Sequence, residues 1–299
     1  MNLMGRKARE NASAYGLLSP ALVILLFIFG YQLFRLFMFS LVKWQGYRYT
    51  TQFNYFSYFK TIFAKGFVVA PLLRSFLIIA VVIPVVIFLT VFIAHNLYRR
   101  IAGYRFYRWL FFLTSIIPVV VASIIWTYLL NLYGPVNNLL RALHLNFLVV
   151  DWFGNSKSAI FALCWIIIWR EIGFSTIIFL AELGRASPSV YEAALIDGAN
   201  EFQLMRYVSF PYLFRIVKLY TVTMTIFVLN NLFGVVLVST NGGPGYATTV
   251  LEYYIYFLTF RTGKIGMGTS VAVILFIITM LLVVIYVRLF SRKRGEPVF

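Results

Sequence analysis

Apolar residues run along this chain in long unbroken stretches, and short charged clusters punctuate them. A bilayer core about 30 Å thick needs roughly 20 apolar residues per helix. Six stretches are long enough, at about 17–42, 74–98, 107–131, 158–183, 213–239 and 266–290. The pattern predicts an all-α integral membrane protein with six transmembrane helices, one domain over 17–290 flanked by tails 1–16 and 291–299. The first stretch follows Arg6, Lys7 and Arg9, as a signal peptide would, but its apolar run is too long and no small-residue cleavage pattern follows. It reads as a retained helix.

One segment breaks the apolar pattern with ordered polar chemistry, the loop 184–212 between the fourth and fifth stretches. Ser189 stands three residues before Glu192, a capping-box spacing; Pro188 suits a first helical turn, and Gly198 closes a helix in the left-handed conformation. Asn200 with Gln203 caps a second helix, which Pro211 is expected to keep from running smoothly into the fifth span. The prediction is an elbow of two short helices. Along the first, Tyr191, Ala194, Leu195 and Gly198 share a face with a small centre, suited to a groove. Glu192 and Asp197 are left for polar partners. On periodicity alone the same loop also reads as an amphipathic connector resting on the membrane.

Composition agrees with the membrane reading: 62% of the 299 residues are hydrophobic and only 12% charged. A net charge of +17 raises the question of nucleic acid, but the basic residues fall in clusters between apolar runs and form no continuous face. Topology accounts for them. An even number of spans puts both termini on one side. With the termini cytoplasmic, that side holds fifteen basic residues: Arg6, Lys7, Arg9, Arg99, Arg100, Arg105, Arg108, Arg185, Arg206, Arg215, Lys218, Arg288, Arg292, Lys293 and Arg294. The other side holds nine, from Lys43 to Lys264. The bias places the elbow in the cytoplasm. Cys164 is the only cysteine, which leaves no intrachain disulfide and no thiol metal cluster, and His95 and His144 are too few for a histidine site. No catalytic dyad or metal set emerges from so few acidic and histidine residues, so an enzyme is not expected.

Other loops are plainer. The segment 43–73 is rich in aromatic residues (Trp44, Tyr47, Tyr49, Phe53, Tyr55, Phe56, Tyr58, Phe59) and reads as an interfacial belt, with a protein-contact surface as the alternative. Loop 132–157 carries Gly134-Pro135 and Asn137-Asn138, ordinary turn chemistry. The run Gly242-Gly243-Pro244-Gly245 is not a phosphate loop, because no strand precedes it and no Lys-Ser/Thr follows; it predicts a tight turn closing the outer mouth.

The elbow sequence resembles the Glu-Ala-Ala…Gly loop of ABC importer permeases, the stretch by which a membrane subunit grips its ATPase. Glu192, Ala193, Ala194, Gly198 and Pro211 stand at the family's spacing, while Val208 and Phe210 replace its more frequent Ile and Leu. Leu17-Leu18-Ser19-Pro20-Ala21, Arg105-Phe106-Tyr107-Arg108, Pro118 and the Thr240-Asn241-Gly242-Gly243-Pro244-Gly245 segment resemble the carbohydrate-uptake branch, the maltose and glycerol-phosphate type. The resemblance implies a bacterial-type inner membrane location and no cofactor on this chain, with ATP and Mg held by two partner ATPase subunits. It further implies a second homologous permease and an extracellular solute-binding protein. Tyr191, Glu192, Ala193, Ala194, Asp197, Gly198 and Pro211 become the ATPase-coupling residues.

Cargo clues must come from polar groups at membrane depth, because charge there is costly. Trp169, Arg170 and Glu171 lie near the middle of the fourth span; Asn230 and Asn231, followed by Phe233, lie near the middle of the fifth. Together they offer the hydrogen bonds and aromatic planes that a sugar needs. The competing reading is an interhelical structural network in which Arg170 pairs locally. Arg35 is expected to snorkel and Glu182 to sit at the membrane boundary. A polyol or glycerol phosphate is the alternative cargo, and an ion-coupled secondary transporter the alternative class; the elbow has no role in the latter.

Overall fold

The computed structural model describes residues 15–46 and 48–291, so Arg6, Lys7, Arg9, Tyr47, Arg292, Lys293 and Arg294 lie outside the described residues. The chain falls into two compact units, divided after Lys65, after Tyr254 and after Phe276.

In the smaller unit, helix α1 (Tyr15–Ser40) carries a π-helical turn at Leu26–Gly30, and its apolar window buries nothing. Its last turn feeds an antiparallel hairpin, β1 (Val42–Gln45) and β2 (Arg48–Phe53), then helix α2 (Ser57–Ala64). The aromatic segment expected as a simple interfacial belt is thus folded. Trp44 meets Phe39 edge-on at 4.8 Å and donates its indole N–H to the Gly46 carbonyl at 3.1 Å. The Arg35 guanidinium, expected only to snorkel, sits 4.7 Å from the Phe39 ring centroid, a cation–π contact.

The larger unit is built on α3 (Val69–Tyr98) and α7 (Ser156–Leu183). Ile78, Val82 and Val86 of the first and Leu163, Ile166 and Ile167 of the second are buried, and Thr90 Oγ1 bonds Ser175 Oγ at 2.7 Å between them. The third stretch is not one straight helix but two, α4 (Tyr104–Ile116) and α5 (Val119–Leu129), bent by 103°. The cause is Pro118, which pushes Ile117 to an extended ψ of 122° and ends α4. Among the described residues five helices are long and apolar enough to cross, and counting the bent pair as one span gives six. Helix α6 (Pro135–Ala142) fills the following loop, where buried Asn137 donates to the Asn131 and Val150 carbonyls.

Helices α4 and α7 pack at Gly173. A Cβ there would lie 2.1 Å from Thr114 Oγ1 and 2.3 Å from the Phe111 carbonyl, and a backbone carbonyl cannot step aside. Gly173→Ala is expected to cost ~2 kcal/mol or more, as overpacking does. A thermal unfolding midpoint unchanged in detergent would contradict this.

Candidate functional site

The elbow opens with α8 (Pro188–Ile196), which starts at its proline after extended Ser187. That start is two residues earlier than the Ser189–Glu192 capping box requires, and the box does not form; Ser189 Oγ bonds Ser187 Oγ at 2.7 Å instead. At the other end Gly198 takes φ +81°. Ala199 donates to the Ala194 carbonyl and Gly198 to that of Leu195, both at 3.0 Å, a Schellman closure. The second capping box forms in full: Gln203 N donates to Asn200 Oδ1 at 2.9 Å, and Asn200 N donates to Gln203 Oε1 at 2.8 Å. From it runs α9 (Glu201–Asn230), a single span. Pro211 does not interrupt it, contrary to expectation. A π-helical turn at Met205–Ser209 opens the helix just ahead, where the proline ring and its missing N–H would otherwise break an α-turn.

The structure divides the predicted outward face: Leu195 and Gly198 are exposed, but Tyr191 and Ala194 turn inward. Tyr191 is only 4% exposed and packs against Ala186 and Leu204 with Tyr98, Ala194 and Ala199 alongside. Its hydroxyl bonds Ser209 Oγ at 2.7 Å; burial raises the phenol above its ordinary pKa. Ser209 Oγ in turn lies 2.7 Å from His95 Nδ1, and His95 Nε2 lies 3.3 Å from Glu201 Oε2. Arg99 Nη2 donates to the other Glu201 oxygen at 3.2 Å. This network ties α8 to the ends of α3 and α9. Sequence reasoning missed His95, Arg99, Glu201 and Ser209, because no local spacing joins them. What α8 turns outward is Val190, Glu192, Ala193, Leu195, Asp197 and Gly198, with Ile196 at 87% exposure.

At membrane depth Arg170 Nη1 pairs with Glu171 Oε1, and the guanidinium lies 5.6 Å from the Phe227 ring centroid. The two line a cavity of about 260 Å³ with Ser115, Tyr220, Thr223 and Phe227. Arg170 Nε is buried without a hydrogen-bond partner among the described residues. Trp169 is not on that wall; it stacks edge-on with Trp126 at 5.7 Å. Asn230, Asn231 and Phe233 are elsewhere as well, because the fifth stretch breaks at Asn231 (φ −138°, ψ 16°) before a separate α10 (Phe233–Ser239). Asn230 Nδ2 donates to the Ile226 carbonyl at 2.9 Å and to Thr279 Oγ1 at 3.3 Å.

The break has a keeper that the sequence did not advertise. Glu252, in α11 (Leu251–Tyr256), accepts from the Leu232 and Phe233 backbone N–H groups with one oxygen. Burial pushes its carboxyl up to about 7 although those two bonds favour the ionised form. A carboxyl raised from its ordinary 4.5 holds its proton longer folded than unfolded, so its contribution to stability falls as pH rises from about 4.5 to about 7. The unfolding midpoint is expected to drop across that window and Glu252→Gln to flatten the drop; an unaltered slope in the variant would contradict it. The preceding turn is tight: Asn241, Gly242, Gly245 and Tyr246 have positive φ, and Gly243 N donates to the Thr240 carbonyl at 2.9 Å around a cis Gly243–Pro244 bond. A Cβ on Gly242 would lie 2.4 Å from the Tyr253 ring.

Residues 86–295, which include the elbow and the break, match the family described as binding-protein-dependent transport system inner membrane component. The chain belongs to that family. A relative named as a probable ABC transporter permease of Pyrococcus horikoshii is 32% identical over 70% of this chain and 72% of its own length. The multiple sugar-binding transport system permease MsmF of Streptococcus mutans is 27% identical over 96% of this chain and 98% of its own. In fold, the chain is similar to one from a bacterial alginate ABC transporter solved in complex with an alginate pentasaccharide-bound periplasmic protein. The TM-score is 0.79 at 19% identity, covering 98% of this chain and 99% of the other. It is thus a membrane permease subunit of the ABC transporter type, the family that the sequence resembles.

Proposed function

We propose that this permease imports a sugar or oligosaccharide handed over by an extracellular solute-binding protein, driven by ATP and Mg on two separate ATPase subunits. A second homologous permease completes the cavity. Both termini and the elbow face the cytoplasm of a bacterial-type inner membrane, in keeping with the basic residues gathered on that side. The observation that carries the reading is α8: fastened to α3 and α9 by the Tyr191–Ser209–His95 network, it turns Leu195 and Ile196 outward next to a closing Gly198. A helix held this way transmits a push to two spans instead of yielding to it. ATPase closure against α8 then rocks the helices and alternates access to the cargo.

The name of one relative, a multiple sugar-binding transport system permease, supports a hydroxyl-rich sugar cargo. So does the cavity, where Glu171 already balances Arg170 and the remaining Arg170 Nε donor is left for a hydroxyl. That balance weighs against an anionic cargo such as glycerol phosphate. The test is co-expression with the neighbouring transport genes, then proteoliposome uptake of labelled oligosaccharides. ATP-dependent uptake that requires the binding protein is expected; uptake driven by an ion gradient without any ATPase would overturn the proposal.

A further inference from the structure

A second cavity, of about 520 Å³, lies where α3 ends, α4 begins and α7 meets the root of the elbow. Its lining is divided by chemistry. Leu97, Ile177, Leu180 and Ala181 form an apolar wall, whereas Arg100, Tyr104 and Arg108 form the polar end. Arg100 stands two residues beyond the last residue of span α3, and Arg108 one turn into α4, so the polar end sits at the level where hydrocarbon gives way to headgroups. Among the described residues neither guanidinium forms an ion pair. Tyr104 accepts from Arg105 Nε at 3.2 Å, which leaves its own O–H able to donate.

We infer that this cavity is a binding site for one anionic phospholipid. Its phosphate meets Arg100, Arg108 and the Tyr104 hydroxyl, and an acyl chain lies on the α3–α7 wall. Two exposed guanidiniums without an ion pair among the described residues are available to an anion, and a guanidinium fork suits phosphate. A free anion has no use for the four apolar residues beside it, and an uncharged lipid has none for the arginines. Basic pockets between helices at the membrane boundary bind anionic headgroups on the same terms. Since Ala186 and Pro188 complete the lining, the lipid touches the base of α8. This inference rests on membrane embedding alone and stands whatever the cargo is.

The test uses the permease purified with its partner subunits from nanodiscs of phosphatidylcholine with graded phosphatidylglycerol, lipids being counted by native mass spectrometry during delipidation. Phosphatidylglycerol is expected to stay when phosphatidylcholine has left. The double variant Arg100→Gln, Arg108→Gln should lower its retention on the order of tenfold or more. Ala181→Trp, which blocks the wall and leaves the arginines, should lower it similarly. The charge-keeping pair Arg100→Lys, Arg108→Lys should retain most of it and reports on folding. Equal retention of both lipids, undiminished retention in the Gln variant or in Ala181→Trp, or loss in a normally assembled Lys variant would overturn the site. Displacement of the lipid by excess inorganic phosphate would do so too, by assigning the arginines to a soluble anion.

Discussion

Gly198→Asn and Gly198→Ala are expected to separate two effects at the elbow that one substitution cannot. At φ +81° any side chain is strained, by roughly 1 kcal/mol for alanine and less for asparagine, which tolerates the left-handed region. Inside this chain a Cβ at Gly198 meets nothing within 4 Å. Backbone strain alone therefore ranks alanine as the worse change. If the exposed face of α8 sits in an ATPase groove, as proposed, added bulk decides, and the ranking inverts: asparagine, and Gly198→Asp still more, should lose uptake by tenfold or more while the permease stays in the membrane. Copurification of the ATPase with uptake in proteoliposomes gives both readouts. Full ATPase retention and uptake in Gly198→Asp would remove α8 from the coupling surface.

The second large effect is expected at Ser209, which is fully buried and joins Tyr191 to His95. Ser209→Ala strands a phenol and an imidazole nitrogen inside the protein, and an unsatisfied buried polar group costs about 1–3 kcal/mol. Tyr191→Phe removes one of the same bonds from the other side and leaves no stranded hydroxyl, so it should cost less. In the double variant the losses should fall short of their sum by ~0.5 kcal/mol or more, the sign of a shared bond. The functional outcome expected is ATP turnover that continues while uptake drops, because α8 stays docked on the ATPase but loosens from the spans. Additive losses with intact coupling between turnover and uptake would mean that the network only holds the fold. Glu192, without a capping role, should matter for docking and not for helix stability: Glu192→Lys is expected to leave the unfolding midpoint in place.

The elbow was readable because its signals are local. Gly198 closes α8, and Asn200 with Gln203 starts α9, within a few residues of each other, and hydrogen bonds of that range leave a signature in spacing. Periodicity also found the face that holds Tyr191 and Ala194. It did not say which face the protein covers, since that depends on Tyr98 and Leu204 from other elements. The His95–Ser209 bond spans 114 residues, and a lone histidine in an apolar run carries no hint of it. The breaks at Pro118 and Asn231 were obscured for a different reason. Hydropathy measures fitness for lipid and is blind to dihedral angles, so a run of the right length reads as one helix even where a proline or an asparagine pair ends it. The polar residues of the fourth span were visible in the sequence but could not be sorted, because Arg170 and Trp169 are adjacent in the chain and meet different neighbours.

Helix α9 runs from its capping box through the π-helical turn at Met205–Ser209, and beyond that turn its last 21 residues, Phe210–Asn230, are regular α-helix, ~32 Å at 1.5 Å per residue. A displacement that enters this stretch at Ser209 next meets a change of backbone at the Asn231 break, where Glu252 clasps the far side. A tilt of about five degrees about the Ser209 end would carry the Asn230 end sideways by roughly 3 Å, given the ~32 Å rise between them. That is the width of a water molecule. A small tilt at the elbow is thus delivered, enlarged by the length of the shaft, to the turn where Glu252 holds the Leu232 and Phe233 N–H groups.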